Sequence, residues 1–362
     1  MRLFTCQSCG QHVYFENVRC TRCGHTLGFL PDRMEVSALE DAGQGSWRAL
    51  AAPGEADYRA CANSAQHEVC NWMVPAEDPE PLCRSCRLNH TIPDLNVAGN
   101  RILWQRLETQ KRRLVYSLLR LELPVHPKHQ DPAGLAFDFL ADPDPSFNEK
   151  GRVLTGHADG LITLNVAEAD PATRERMRED MAEPYRTILG HFRHESGHYY
   201  WDRLVRDSQW LDEFRSLFGD ETLDYGQALQ RHHAEGPPPD WQQHFVSAYA
   251  SSHPWEDWAE TWAHYLHIVD TLETARSFGV GVRPEEGDPQ SMARDARFDP
   301  YGQADFAPIL KHWLPLAFAL NSLNRSMGHE DAYPFVLAPP AVEKLQLVHR
   351  IVHQQPAPRN DP

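Results

Sequence analysis

The sequence predicts an α+β protein, in which a cysteine-rich module precedes a mainly helical domain with a small sheet. Three observations support this prediction. All eight cysteines lie before residue 87, apolar residues recur at helical spacing over most of the remaining chain, and three short β-rich runs lie between residues 135 and 166. With 362 residues and 41% hydrophobic content, the chain is long enough for two or three domains with buried cores.

The charge balance restricts the expected partners. The chain has 35 basic and 51 acidic residues, a formal charge of −16. This charge repels phosphate backbones and anionic membranes, so we expect neither nucleic acid nor a membrane as a partner. The N-terminus has no apolar signal region, and no apolar run approaches membrane-spanning length. The expected location is the cytoplasm, where cysteines stay reduced and bind metal more readily than they form disulfides.

The first four cysteines form two CxxC pairs, and each pair is followed by a glycine. Gly10 and Gly24 allow the tight turn in which backbone amides point at sulfur. Four thiolates at this spacing are typical of a structural zinc ribbon, whose closed site leaves zinc no open position for catalysis. Free buried cysteines are the alternative. The predicted ligands of this first site are Cys6, Cys9, Cys20 and Cys23.

The second cysteine quartet is less regular, because only one half of it is a CxxC pair. It predicts a second four-thiolate zinc site, with redox or packing roles for Cys61 and Cys70 as the alternative. Glycines and prolines between the quartets indicate a turn-rich connection. We therefore expect residues 1–98 to form a zinc-ribbon module with little core of its own, followed by a second domain over residues 99–362. The predicted ligands of the second site are Cys61, Cys70, Cys83 and Cys86.

The second domain is expected to begin with a helix and a small sheet. Apolar residues at helical spacing predict a helix from Leu95 to Leu121. Leu135–Leu140 is a predicted strand, and Arg152–Gly156 and Gly160–Val166 are predicted neighbouring strands separated by residues 157–159. The edge of such a sheet could bind an extended peptide through its backbone, although edge strands are also common without this role.

Near the middle of the chain, residues 194–198 read His-Glu-Ser-Gly-His. In a helix, His194 and His198 lie on one face and can bind one metal ion, while Glu195 points toward the open side of that ion. Pro184 suits the first turn of the helix, and the flanking apolar residues support it. The alternative is an exposed amphipathic helix that happens to be rich in histidine, since the chain contains 20 histidines.

A catalytic zinc ion held by two histidines needs a third protein ligand and an open position for water. Pro254 can begin a helix in which Glu256 and Glu260 lie one turn apart on the same face. Either carboxylate could bind zinc while the other hydrogen-bonds the far nitrogen of a ligating histidine. Asp202 follows His198 by one turn and could orient its ring, but an ion pair with a nearby arginine fits equally well.

Further helices are expected on both sides of this region. The charged segment 171–182 is predicted to form a solvent-facing helix, and the remaining segments carry apolar positions at helical spacing. The predicted ranges are 171–182, 207–218, 224–235, 306–327 and 341–352.

The spacing of His194-Glu-x2-His198 followed by Tyr249-x6-Glu256-x3-Glu260 resembles the gluzincin class of zinc peptidases. The resemblance implies Glu256 as the third zinc ligand, Tyr249 as a donor to the developing oxyanion, and Glu260 just outside the ligand set. Thermolysin-like gluzincins have an aspartate where this chain has Glu260, so Glu260 remains the rival for the ligand role. Tyr249 could instead belong to the core, because apolar residues surround it in the sequence.

Over nearly its whole length the chain also resembles the bacterial zinc-binding metallopeptidases with an N-terminal zinc ribbon. The blocks that carry this resemblance are Thr155–Gly160, Glu168–Asp170, Glu183–Arg186 and Gly190–His194. The resemblance implies a zincin-like metallopeptidase domain, one catalytic and two structural zinc ions, and a protein or peptide substrate. Glu195 would be the general base that takes a proton from zinc-activated water and returns it to the leaving amine.

Two other functions remain open from the sequence. The chain could be a non-catalytic protein-interaction module, in which the ribbons bind a partner and the HExxH site is structural or inactive. It could also hydrolyse amides in substrates that are not peptides. Replacing Glu195 distinguishes a catalytic site from a structural one, because both sites bind zinc and only the catalytic site requires a general base.

Overall fold

The computed structural model describes residues 1–142, 155–180, 187–286, 292–295 and 297–354. The chain forms two compact units, residues 1–180 and 181–362. The named strands all lie in the first unit, and the second unit is built from helices. The predicted α+β class is confirmed. The predicted domain boundary at residue 98 remains a prediction. β8 (Asn89–Thr91) and β9 (Ala136–Leu140) lie on either side of it in the sequence and pair in one sheet.

A five-stranded antiparallel sheet has four strands between the two cysteine quartets and its fifth strand within the second quartet. Its core contains Leu30, Leu39, Tyr58 and Met73. The expectation that residues 1–98 have little core of their own was therefore wrong, whereas the predicted turns are present, with positive φ at Gly43, Gly45 and Gly54. Four of the strands have three to five residues, and in the nine-residue strand Glu35–Gly43 the buried positions are consecutive, so no single run shows a clear alternation, and the core forms only when the strands pair. The strands are β3 (Thr26–Leu30), β4 (Glu35–Gly43), β5 (Ser46–Ala49), β6 (Tyr58–Ala60) and β7 (Met73–Pro75).

Short elements frame the cysteine quartets on either side of this sheet. A hairpin follows the start of the chain and holds the first CxxC pair between its strands. A one-and-a-half-turn helix follows Cys61 in the second quartet. These elements are β1 (Phe4–Thr5), β2 (His12–Val13) and α1 (Ala62–His67).

The second sheet of this unit has the strand order β10-β11-β9-β8, with β10 (Gly156–Ala158) and β11 (Leu161–Asn165). The central strand β9 is parallel to both of its neighbours, and β10 is an antiparallel edge strand. The predicted strands at 135–140 and 160–166 are confirmed. Residues 157 and 158, expected to separate two strands, belong to β10 instead. The turn lies at the next two residues, both with positive φ, and residues 152–154 of the third predicted strand lie outside the described residues.

Two helices complete the first unit, α2 (Asn100–Arg120) and α3 (Pro171–Asp180). The sequence predicted that α2 would begin near residue 95. It begins at Asn100 because Gly99 has a φ of 91°, a left-handed conformation that favours glycine and interrupts a helix. The buried face of α2 includes Trp104 and Leu114, as its apolar spacing predicts, but also three charged side chains that the spacing does not predict.

The second unit confirms the predicted helices of the later chain. The helix that carries the histidine motif begins at Ile188, because the Thr187 side chain caps it by accepting a hydrogen bond from the amide of Gly190 at 2.9 Å. The predicted start at Pro184 lies outside the described residues. The helices are α4 (Ile188–Leu204), α5 (Leu211–Phe218), α6 (Tyr225–Glu235), α7 (Pro254–Phe278), α8 (Phe306–Ser326) and α9 (Pro339–His353).

The second unit is organised around the contact between α4 and α7. The indole of Trp258 donates to the carbonyl of Gly197 at 2.9 Å, and the indole of Trp262 donates to Ser196 Oγ at 3.2 Å. One turn earlier on α4, the buried guanidinium of Arg193 donates to Asp270 of α7 at 2.6 Å. Because both helices are fixed by directional bonds as well as apolar packing, the relative position of their side chains is well defined.

A buried ion pair joins α9 to α7. Lys344 Nζ donates to Asp257 Oδ2 at 2.6 Å and to the carbonyl of His244 at 2.9 Å. Burial raises the pKa of Asp257 to about 7, although the ammonium group of Lys344 opposes this shift. The carboxylate therefore depends on Lys344 to remain ionised in the core.

Among the described residues, no helix combines the length and the apolar character needed to cross a membrane.

We predict that Lys344→Met destabilises the second unit by about 3–5 kcal/mol, because it leaves Asp257 buried without its partner. Without the ammonium group the folded-state pKa of Asp257 should rise further above about 7, so the loss relative to the wild type should grow as pH rises above about 7, where the wild-type carboxyl ionises and that of the variant stays protonated. Chemical denaturation at several pH values measures both effects.

The matched control is Arg350→Met on the same helix, which removes a half-exposed pair with Glu213. We expect this change to cost about 1 kcal/mol or less. Equal losses for the two variants would contradict the prediction.

Candidate metal centre

Helices α4 and α7 bring His194, His198 and Glu256 together. One ligand atom from each residue lies within 4.8 Å of the others. The Nε2 atom of His194 is 3.0 Å from Glu256 Oε2, and that of His198 is 3.6 Å from Glu256 Oε1. Zinc–nitrogen and zinc–oxygen bonds of about 2.0–2.1 Å in a tetrahedron place ligand atoms about 3.3 Å apart. The three side chains therefore have the types and the spacing of a zinc site.

Glu256 shows why this cluster needs a cation. The residue is 1% exposed, and its Oε2 atom has no hydrogen-bond partner among the described residues. Burial raises the pKa of Glu256, but the charges of His198 and His194 lower it by a larger amount. The net pKa of Glu256 therefore lies well below its ordinary value. A buried, ionised carboxylate whose two oxygens lie 3.0 and 3.6 Å from two imidazole nitrogens is a group that a metal ion would satisfy.

Glu260 lies on the other side of the His194 ring. Its Oε1 atom is 2.7 Å from His194 Nδ1, and its Oε2 atom accepts a hydrogen bond from Ser247 Oγ at 2.6 Å. A carboxylate at Nδ1 favours the tautomer in which Nε2 carries the free lone pair, and this nitrogen faces Glu256. The geometry favours Glu256 over Glu260 at the metal, as the sequence resemblance implies.

Glu195 is buried beside the two histidines and pairs with a third one. Its Oε1 atom is 3.3 Å from Nε2 of His191, one helical turn earlier on α4. Burial raises the pKa of Glu195, but the hydrogen bond with His191 and the charge of His194 lower it, so the net pKa lies below its ordinary value. The carboxylate is therefore ionised near neutral pH and able to accept a proton.

Tyr249 lies at the start of a 3-10 turn, Tyr249–Ser252, just before α7. Its ring centre is 5.9 Å from that of His194. The nearby core cluster contains Val246 and Ala250, but not Tyr249. Burial and the charge of Glu256 raise the pKa of Tyr249, so its hydroxyl stays protonated and can donate a hydrogen bond.

Three residues near the centre were missed by the sequence analysis. His191 could have been found, because it precedes Glu195 by four positions in the same helix. Tyr225 and Ser247 had no local signal, because they come from α6 and from the segment before α7. The hydroxyl of Tyr225 donates to Glu256 Oε1 at 2.7 Å, and the residue is 38% exposed.

Asp202 forms an ion pair with Arg206, one turn later on α4, at 2.5 Å. This is the pairing that the sequence left open as the alternative to orienting His198. A role for Asp202 toward His198 remains a prediction.

The first cysteine quartet has the geometry of a zinc knuckle pair. The amides of Gly10 and Gly24 donate to the carbonyls of Cys6 and Cys20, both at 2.9 Å, and both glycines have positive φ, in agreement with the predicted tight turns. Sulfur–sulfur distances are 3.6 Å for Cys6–Cys23 and for Cys9–Cys20. Zinc–sulfur bonds of about 2.3 Å place sulfurs about 3.8 Å apart in a tetrahedron. The four thiols fit a structural zinc ion.

The second quartet also converges, with its ligand sulfurs within 4.8 Å of one another and Cys70–Cys83 at 3.7 Å. All four of its cysteines are buried, whereas Cys9 is half-buried and Cys23 exposed in the first quartet. Burial raises the pKa of the Cys83 thiol well above its ordinary value. Thiolates at this second site therefore need compensating positive charge.

Two parts of the chain match known protein families. Residues 100–351 match the family described as "putative zinc-binding metallo-peptidase", and residues 3–97 match a zinc-ribbon domain. The first match covers more than half of the chain, so the chain belongs to this family of zinc-binding metallopeptidases. The family resemblance seen in the sequence is confirmed.

Relatives with nearly the same length occur in mycobacteria. One protein of Mycobacterium bovis and two of Mycobacterium tuberculosis strains are each 45% identical over 357 residues, covering 98% of this chain and 96% of the relative. All three are described as uncharacterised proteins. No solved structure matches the chain.

We predict that Gly197→Ala opens the contact between α4 and α7. A Cβ atom at this position would lie 2.8 Å from Ala259 Cα and 3.2 Å from the Ala259 carbonyl oxygen, and backbone atoms cannot rotate away. The strain should cost about 1–3 kcal/mol and weaken zinc binding at the histidine site. Thermal unfolding and zinc titration measure the two effects.

Gly226→Ala in α6 serves as the control, because its Cβ would meet only Asp224 Oδ1 at 3.5 Å. Its better helix propensity should leave the protein unchanged or more stable by up to about 1 kcal/mol. A Gly197→Ala protein at least as stable as this control would contradict the prediction, because it would show that the contact between α4 and α7 tolerates a Cβ atom.

Proposed function

We propose that this protein is a zinc-dependent metallopeptidase that hydrolyses peptide bonds in a protein or peptide substrate. The observation that supports this most strongly is the convergence of His194, His198 and Glu256, with the buried Glu195 adjacent to His194 on the same helix. Membership of the metallopeptidase family agrees with this proposal. A purely structural site would not require a buried, ionised carboxylate next to the ligands.

In this proposal, His194, His198 and Glu256 hold the catalytic zinc ion, and the two cysteine quartets hold structural zinc ions. Zinc at a site with three protein ligands polarises a carbonyl oxygen and lowers the pKa of water to about 7. Glu260 and Ser247 keep the His194 ring in the orientation that presents Nε2 to the ion. These side chains therefore prepare the site before substrate binds.

Glu195 is the proposed general base. Its ionised carboxylate accepts the proton of the attacking water and returns that proton to the leaving amine, which would otherwise depart as an unstable anion. The hydrogen bond from His191 restricts the rotation of the carboxylate and keeps it ionised in its buried position. His191 is therefore a positioning residue for the base.

Tyr249 is the proposed donor to the carbonyl oxygen of the scissile bond. As the carbonyl carbon becomes tetrahedral, negative charge grows on that oxygen, and a protonated phenol beside the site stabilises it. This interaction is weak in the ground state and strong in the transition state, so it raises the rate of the chemical step.

We predict that Glu195→Gln lowers peptide hydrolysis by about 10²–10⁴-fold, because the amide cannot accept a proton. Zinc content should not change, since Glu195 is not a ligand. Cleavage of unfolded casein and of a fluorogenic peptide library, with zinc measured by mass spectrometry, tests both parts. Glu235→Gln, at the exposed end of α6, is the control and should keep full activity. Hydrolysis by Glu195→Gln at the wild-type rate would refute the proposed base.

We also predict that Glu256→Gln and Glu260→Gln affect zinc differently. Loss of the ligand in Glu256→Gln should reduce the zinc content from three ions per chain to two, one for each remaining cysteine site. Loss of the hydrogen-bonding carboxylate in Glu260→Gln should weaken the affinity for the catalytic ion by about 10–100-fold without abolishing it. The opposite result, with loss of the ion only in Glu260→Gln, would assign the ligand role to Glu260.

A further inference from the structure

Helix α2 carries three charged side chains in the interior of the first unit. Glu108 and Lys111 are 0% exposed, and Arg112 is 4% exposed. Moving an ion out of water costs several kcal/mol even after the protein relaxes, so buried charges persist only where partners compensate them. The proposed peptidase reaction does not use these residues. Their position beside the second cysteine quartet suggests a different role.

The three charges contact the second quartet and the residues around it. Glu108 Oε2 is 3.9 Å from Cys86 Sγ, and Arg112 donates to the carbonyl of Val69, directly before Cys70, at 2.6 Å. Lys111 Nζ donates to Glu108 Oε1 at 2.9 Å and also to the side chain of Asn89. These contacts therefore connect the charged side chains of α2 to Cys86 and to the residue before Cys70.

The charge of a filled site explains this arrangement. A zinc ion held by four thiolates carries two net negative charges, and in a buried site water cannot screen them. Glu108 adds one further negative charge next to Cys86, whereas Lys111 and Arg112 add two positive charges. In the first quartet, Cys9 and Cys23 are accessible to solvent, so water can stabilise the same negative charge there.

We propose that Arg112 and Lys111 of α2 are positioning residues of the second zinc site, and that their buried positive charges allow four buried thiolates to retain the ion. Retention of zinc at this site then requires α2 to be packed against the cysteines. The matched zinc-ribbon domain ends at residue 97 and α2 begins at Asn100, so a part of the site lies beyond the ribbon. This inference does not depend on peptidase activity.

The test uses the full-length protein loaded with cobalt(II) instead of zinc. Thiolate-to-cobalt charge-transfer absorption reports the cysteine sites and not the histidine site. Its decay after addition of excess EDTA should show a fast phase from the first quartet and a slow phase from the second. Cys23→Ser, which damages only the first site, identifies the fast phase.

Arg112→Met should accelerate the slow phase by about 10–100-fold and leave the fast phase unchanged. Arg113→Met, at the next position of α2, removes a partly exposed pair with Glu16 and should leave the slow phase at the wild-type rate. A slow phase that is the same in Arg112→Met and in the wild type would overturn the proposal.

Glu108→Gln distinguishes charge from packing. It removes the negative charge nearest to Cys86, so the proposal predicts slower release from the second site. If α2 contributed only packing, both the Arg112 and the Glu108 variants would release cobalt faster. Should Arg112→Met fail to fold, Glu108→Gln decides alone: slower release supports the proposal, and unchanged or faster release overturns it.

Discussion

The metal centre depends on how closely α4 and α7 approach each other. Gly197 lies against the backbone of Ala259, and the absence of a side chain there lets the two helices meet at that point. Hydrogen bonds from the indoles of Trp258 and Trp262 to α4 fix the same contact. Because His194 and His198 flank Gly197 in the motif and Glu256 precedes Ala259 by three positions, this contact sets the distance between the three candidate ligands. A wider crossing would leave a carboxylate and two imidazoles too far apart for one ion.

The sequence predicted those parts of the site that depend on local spacing. A helical repeat places two histidines four positions apart on one face, and the CxxC pairs follow from the short loop that a zinc knuckle requires. Spacing alone could not decide between Glu256 and Glu260, because both lie on the same face of α7. That distinction depends on which nitrogen of His194 each carboxylate meets. Ser247 and Tyr225 reach the centre from separate segments, so only the tertiary structure reveals them.

The fold of the first unit was less predictable for a related reason. Four strands of its five-stranded sheet are too short to show alternation, and the longer β4 has consecutive buried positions, so the core appears only after all of them pair. Similarly, the apolar stripe of α2 predicted a buried face but not its charged residues. A buried Glu108–Lys111–Arg112 cluster contradicts the usual preference of such residues for solvent, and only its proximity to four cysteines gives it a physical reason.

The hydrogen bond from Tyr225 to Glu256 has a consequence for the denticity of that carboxylate. With Oε1 accepting a hydrogen bond from a phenol at 2.7 Å and Oε2 accepting none, Oε2 is the oxygen better placed to bind an ion, and Glu256 would then be monodentate. A monodentate carboxylate occupies one coordination position instead of two, so a bound ion would have more positions available to water and substrate. The partly exposed Tyr225 would therefore influence how many coordination positions of a bound ion remain open.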